Sequence, residues 1–146
     1  FLFCLFFVYF SSLIHLKIIL FCFVFACIAS DIGGYIFGKL IKGPRLTKIS
    51  PSKTYSGSIG SILLSCLTFS LSLFYLTGNY KYSFIFIAIF LSLACQIGDL
   101  FFSYLKRKAK IKDSGKIFPG HGGVLDRLDG ILFGVPAGFI LLILLY

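Results

Sequence analysis

The chain has 146 residues, 58% of them hydrophobic and only 13% charged, with 14 basic and 5 acidic side chains. Soluble domains carry about 25% charged residues, and the mean hydropathy here is +0.99, so a soluble fold is excluded and an integral membrane protein expected. The net charge of +9 sits between apolar runs, which assigns it to membrane topology and to anionic substrates or lipids and excludes a nucleic-acid partner.

A membrane span needs about 20 mainly apolar residues. In chain order the sequence predicts five spans, making an all-α polytopic transmembrane bundle in a single domain, 1–146. The first, 1–14, is short. The second, 18–41, is interrupted by Ser30, Asp31 and several glycines. The third covers 57–77. The fourth, 83–105, carries Gln96 and Asp99 in its later half, and the fifth covers 130–146. With no Met anywhere, the chain is expected to be the C-terminal part of a longer protein. No signal peptide is expected at the start, because no basic n-region or small-residue cleavage site is visible. The five cysteines lie in apolar runs without a C-x-x-C pair and are expected to be buried small hydrophobes, not ligands.

The loops 42–56 and 106–129 and their borders collect twelve basic residues, among them Lys39, Lys42, Arg45, Lys53, Lys106, Arg107, Lys112 and Arg127. The alternate connections hold only Lys17 and Lys81. The positive-inside rule makes the rich side cytoplasmic. The resulting expectation is a bacterial inner membrane protein whose polar cavity opens to the cytoplasm.

The sequence has no Glu, and its acids are Asp31, Asp99, Asp113, Asp126 and Asp129. Asp31 and Asp99 fall within predicted spans, where an ionisable group costs about 2.5–3.5 kcal/mol and faces a bundle interior or a wet cavity. An internal salt bridge to lysine is the alternative. Ser92, Gln96, Asp99, Ser103 and Lys106 follow helical spacing, so one face of the fourth span is polar. That face makes either a channel or a polar helix–helix seam. Ser30, Gly34 and Gly38, like Gly130, Gly134 and Gly138, repeat every four residues and predict close helix packing. The second stripe also suggests a homodimer.

Between Ser103 and Asp129 lies a charged block, S-Y-L-K-R-K-A-K-I-K-D-S-G-K-I-F-P-G-H-G-G-V-L-D-R-L-D. Asp126 and Asp129 share a face if a helix starts there, and with Asp99 they can hold Mg²⁺, which takes carboxylates, waters and substrate phosphates. Asp129 is equally a helix cap or a partner for Arg127. The turn containing Gly120, His121, Gly122 and Gly123 can point backbone N–H groups at an anion. Lys106, Arg107, Lys112 and Arg127 around it suggest a polyphosphate site; a loop that only touches anionic lipid is the alternative. Ser50, Lys53 and Thr54 add polar groups from the other loop without the spacing of a P-loop.

These residues resemble the CDP-diacylglycerol synthases, or phosphatidate cytidylyltransferases. The block matches that family's long signature at each fixed position, from Ser103 through Lys106-Arg107, Lys112-Asp113 and the Pro-Gly-His-Gly-Gly turn to Asp126-Arg127 and Asp129. Ser30-Asp31, Ser50-Pro51-x-Lys53-Thr54 and Gly98-Asp99 match in the same order, and the resemblance covers about residues 25–140. It implies transfer of CMP from CTP to phosphatidate, giving CDP-diacylglycerol and pyrophosphate in phospholipid biosynthesis. It implies a divalent metal on Asp99 and Asp126, with Asp129 nearby. A second cation such as K⁺ is a further expectation. Asp99, Asp126, Asp129, Lys106 and His121 are then catalytic candidates. The expected substrate contacts are Asp31, Ser50, Lys53, Thr54, Arg107, Lys112, Asp113, Gly120, Gly122, Gly123 and Arg127. Two positions depart from many bacterial members, which place Glu or Gln at Ser56 and Glu at Phe102. The rival readings are a CTP-dependent lipid-alcohol kinase and an inactive lipid- or ion-binding membrane protein.

Overall fold

The structure is a computed structural model. It describes residues 4, 5, 8, 14–47, 50, 53–78, 81–111 and 125–145, the side chains at 14, 15 and 125–127 excepted. Four long helices follow one another: α1 (Ile14–Ile41), α2 (Tyr55–Thr77), α3 (Ser83–Lys108) and α4 (Leu125–Leu145). Each is long and apolar enough to cross a membrane, so the protein is an integral membrane protein. Among the described residues there is no strand, only an isolated bridge between Arg45 and Thr54.

The expected count of five spans is corrected to four among the described residues. The expected first span, 1–14, lies almost wholly outside them. The other helices overrun their expected ends for local reasons. Lys17 does not stop α1, because a lysine near a helix end carries its charge outward on a long stem. Helix α2 starts at Tyr55 because Thr54 is its N-cap, with extended backbone and a side-chain oxygen that accepts from the Gly57 N–H at 3.2 Å. Gly78, in the left-handed region at φ 65°, closes α2 through an N–H bond to the Phe74 carbonyl. Helix α3 runs on to Lys108 and ends in a Schellman arrangement. The Ile111 N–H bonds the Lys106 carbonyl and the Lys110 N–H that of Arg107, both at 3.0 Å, with Lys110 at φ 56°. Helix α4 begins at Leu125, which brings Asp126 and Asp129 into its first turns.

Lipid offers no hydrophobic drive for helix association, so close packing has to supply it. Helix α1 packs chiefly on α2, and α3 on α4. The first pair meets through glycines. A Cβ on Gly33 would stand 2.5 Å from the Gly60 carbonyl oxygen, one on Gly57 2.7 Å from that of Gly34, and one on Gly60 would run into the Phe37 side chain. The stripe on α4 is used in the same way inside the chain. A Cβ on Gly134 would stand 2.8 and 3.2 Å from the Cys27 and Cys95 sulfurs, and one on Gly138 would stand 2.8 Å from the Phe23 ring. It therefore carries no argument for a dimer. Cys22, Cys27 and Cys95 are buried as expected, whereas Cys4 is exposed. At the centre Phe23 stacks on Phe69 at 5.1 Å and meets Phe139 edge-on at 4.8 Å.

Replacing Gly60 by Val should destabilise the bundle by about 1–3 kcal/mol through overpacking. Thermal unfolding in detergent reads this directly. An unchanged midpoint would show that α1 and α2 do not approach this closely.

Candidate functional site

The polar residues of four segments converge at the end of the bundle that carries the two basic loops. Loop 42–54 returns on itself there. Its Leu46 N–H bonds the Lys53 carbonyl at 2.8 Å and its Lys53 N–H bonds the Ser50 carbonyl at 3.1 Å. This delivers Lys53 to the start of α2, next to the cap residue Thr54. From there the Lys53 ammonium donates to Asp99 Oδ2 on α3 at 2.7 Å, with side chains 27% and 24% exposed. The pair stands on a cavity of about 240 Å³ lined by Asp31, Gly34 and Tyr35 from α1, Leu46, Lys53 and Thr54 from the loop, Gly57, Ser58 and Ser61 from α2, and Gln96 and Asp99 from α3.

A second ion pair adjoins the first. Gly98 lets α4 come so close that a Cβ there would sit 2.8 Å from the Asp129 carbonyl oxygen, and one on Gly130 would lie 3.3 Å from Asp99 Oδ1. Asp129 neighbours Asp99 across this approach and pairs with Lys106 at 3.8 Å. The two pairs Lys53–Asp99 and Lys106–Asp129 thus lie side by side. Among the described residues Lys106 is the ion-pair partner of Asp129, while the Arg127 side chain lies outside them. The Gly130 N–H also donates to Asp129 Oδ1 at 2.9 Å.

The polar face of α3 changes character with depth. Ser92 is fully buried and hydrogen-bonded to Ser30 on α1 at 2.8 Å. One turn on, Gln96 donates to the Ser92 hydroxyl at 3.4 Å and to the Ser58 carbonyl at 3.3 Å, and accepts from the Ser58 hydroxyl. Beyond it Asp99 reaches the cavity. The helix–helix seam is therefore present below, and above it the same face lines a cavity.

Of the expected site residues, Asp31, Lys53, Thr54 and Asp99 line one cavity, and Lys106 and Asp129 adjoin it. Arg107 is exposed on the last turn of α3. Ser50 shapes the loop instead of lining the cavity, its N–H donating to Thr47 Oγ1 at 3.3 Å. Lys112, Asp113, Gly120, His121, Gly122 and Gly123 lie outside the described residues, as do the side chains of Asp126 and Arg127. Among the described residues no three His, Cys, Asp or Glu side chains cluster closely enough to hold a metal alone. Ser56 stands 3.1 Å from the Thr54 hydroxyl beside the cap. Phe102 packs in an aromatic group with Phe101 and Phe133 at 5.7 and 6.1 Å. Neither departure from the family pattern lines the cavity. Sequence reasoning missed Tyr35, Ser58 and Ser61. For α2 a signal existed: Thr54, Ser58, Ser61 and Ser65 follow steps of four, three and four on one helical face.

Residues 1–145 match the profile of the cytidylyltransferase family. The chain belongs to that family. A phosphatidate cytidylyltransferase of Helicobacter pylori is 48% identical over 108 residues, covering 73% of this chain and 40% of the relative. One of Mycobacterium leprae is 40% identical over 126 residues, 86% of this chain and 40% of the relative. One of Rickettsia felis is 45% identical over 132 residues, 83% of this chain and 58% of the relative. The chain thus spans about two-fifths of the length of the first two relatives and rather more of the third.

The buried Ser30–Ser92 contact should be worth about 0.6 kcal/mol, the average for hydrogen bonds between membrane helices. A double-mutant cycle of Ser30→Ala and Ser92→Ala, read by unfolding in detergent, measures the coupling. Strict additivity would mean that the two hydroxyls do not interact.

Proposed function

We propose that this chain carries the catalytic part of a phosphatidate cytidylyltransferase, acting from the cytoplasmic face of a bacterial inner membrane. The observation that carries the reading is the Lys53–Asp99 contact at 2.7 Å. It joins two segments that match the family separately, on a cavity that also takes in Asp31 of a third. The names of the relatives support the substrates, CTP and phosphatidate. The basic loops support the orientation.

The cavity, at about 240 Å³, is smaller than the ~300–1,000 Å³ of typical small-molecule sites. It fits the phosphate end of a nucleotide better than the whole of it. The N-terminus of α2 presents partial positive charge there, beside the Lys53 ammonium and the Thr54 and Ser58 hydroxyls. In the reaction a phosphate oxygen of phosphatidate attacks the α-phosphorus of CTP. A P–O bond forms to the lipid phosphate, the bond to the β-phosphate bridging oxygen breaks, and pyrophosphate leaves with that electron pair. The second pKa of a phosphate monoester is about 6, so the attacking oxygen is already ionised and no strong base is required. The residues have to hold two anions in line and offset their charge. Lys53 and Lys106 supply cations beside the two carboxylates.

Asp99 and the neighbouring Asp129 offer hard oxygen donors, the donor type that Mg²⁺ takes with only one or two carboxylates plus water and phosphate. Asp126, the other ligand that the family resemblance implies, has its side chain outside the described residues. When bound between these carboxylates and CTP, Mg²⁺ would offset charge on the α-phosphate and the departing pyrophosphate.

The full-length protein in detergent, given CTP, phosphatidate and Mg²⁺, should form CDP-diacylglycerol and pyrophosphate. With a lipid alcohol supplied beside phosphatidate, CDP and a phosphorylated alcohol would instead establish the kinase, and neither product from folded protein would reject both. Asp99→Asn should lower the rate by at least about a hundredfold with an unchanged elution profile. Full activity in that variant would remove Asp99 from the machinery.

A further inference from the structure

We propose that Lys53 is an exchangeable counter-ion. It neutralises Asp99 while the site lacks a divalent cation, and it turns to a CTP phosphate when one binds. The inference rests on the function proposed above and adds an order of events to it.

Four observations carry it. First, the Lys53 ammonium lies 2.7 Å from Asp99 Oδ2. A divalent cation binds a carboxylate oxygen at about 2.0–2.1 Å. Both positive groups on one carboxylate would stand a few ångströms apart and repel strongly, so one leaves as the other arrives. Second, Lys53 is the lysine in contact with Asp99, whereas the neighbouring Asp129 has Lys106 at 3.8 Å. Third, only the side chain of Lys53 has to move. Its backbone is pinned on both sides by the bonds to Leu46 and Ser50, while its four-carbon stem faces the cavity with 27% of the side chain exposed. Fourth, a second place for the ammonium exists within the same cavity. The start of α2, with the Thr54 and Ser58 hydroxyls, is where an anionic phosphate would rest, next to the residue from which the lysine springs.

The exchange makes two ligands cooperative. A cation alone has to displace Lys53 and leave it unpaired. A cation arriving with CTP brings the phosphate that takes Lys53 over. Each ligand therefore strengthens the other, by equal factors.

Amine acetylation of the full-length wild-type protein, read at Lys53 by mass spectrometry, tests the exchange without a mutation. Mn²⁺ serves as the spectroscopic stand-in for Mg²⁺. Acetylation of Lys53 should rise several-fold when Mn²⁺ is added and fall again when CTP follows in the absence of phosphatidate. Reactivity that is unchanged, or lower, with Mn²⁺ overturns the proposal. Lys53→Gln supplies a second reading by electron paramagnetic resonance. Mn²⁺ binding without nucleotide should tighten about tenfold, the value of one charge-assisted hydrogen bond lost as competitor, and the strengthening of Mn²⁺ binding by CTP should shrink. Unchanged or weaker Mn²⁺ binding, or undiminished strengthening by CTP, overturns it too. Asp99→Asn separates this from the underlying reading. If Mn²⁺ binding does not depend on Asp99, the metal assignment itself fails and the exchange with it. If it does, and Lys53 stays equally protected, only the exchange fails.

Discussion

An aspartate two-thirds of the way along a membrane-length helix has to be neutralised, and the arrangement of this bundle's polar end follows from that need. Left alone, Asp99 would cost about 2.5–3.5 kcal/mol in lipid. Its partner comes from outside the helices. Lys53 reaches it because loop 42–54 folds back through the Leu46–Lys53 backbone bond and because Thr54 starts α2 at once afterwards. The glycine contacts of Gly33, Gly34, Gly57 and Gly60 then bring α1 against α2, which places Asp31 on the same cavity. Closing the ion pair and building the cavity are one structural event.

The polar side chains below the pair have a different role. Ser30 and Ser92 are sealed in the core, where their hydroxyls satisfy each other. Gln96 uses both ends of its amide on Ser58 and Ser92, so it fixes α2 relative to α3 one turn beneath Asp99. A floor of satisfied polar groups supports a carboxylate whose own partner is 27% exposed. For the proposed reaction, which brings several negative charges to the site, that combination would keep the anchor fixed and leave the counter-ion free to turn.

The features legible in the sequence were those set by charge and by helical period. The acids inside apolar runs, the polar face ending at Asp99 and the fourfold glycine spacing all pointed to the places the structure gives them. What could not be read was which hydroxyl faces what. Ser58 reaches across to Gln96, whereas Thr68, Ser72 and Thr77 on the same helix bond back to carbonyls of their own preceding turn. Both habits are open to any Ser or Thr in a membrane helix, so only the neighbouring helix decides. The Lys106–Asp129 pair was hidden for a similar reason. It depends on the approach of α4 at Gly98 and Gly130, and Arg127 was nearer in the sequence. The charged loop that stands out most in the sequence lies largely outside the described residues. The cavity is recognised through its quieter walls.

The choice of lysine at position 53 fits a cation that has to change partners. An arginine would clasp Asp99 through two parallel hydrogen bonds from a planar fork, a geometry suited to permanence. Lysine is a point charge on a flexible stem with three rotatable donors. It can neutralise a carboxylate at 2.7 Å and take up a phosphate oxygen after a change of side-chain torsions alone. Lys106 offers a contrast in the neighbouring pair: it extends from the last turns of α3, and its side chain is less exposed, at 18%. A helical lysine near a helix end holds Asp129, and a loop lysine at a cavity mouth holds Asp99. The lysine with the more exposed side chain thus belongs to the carboxylate that faces the cavity.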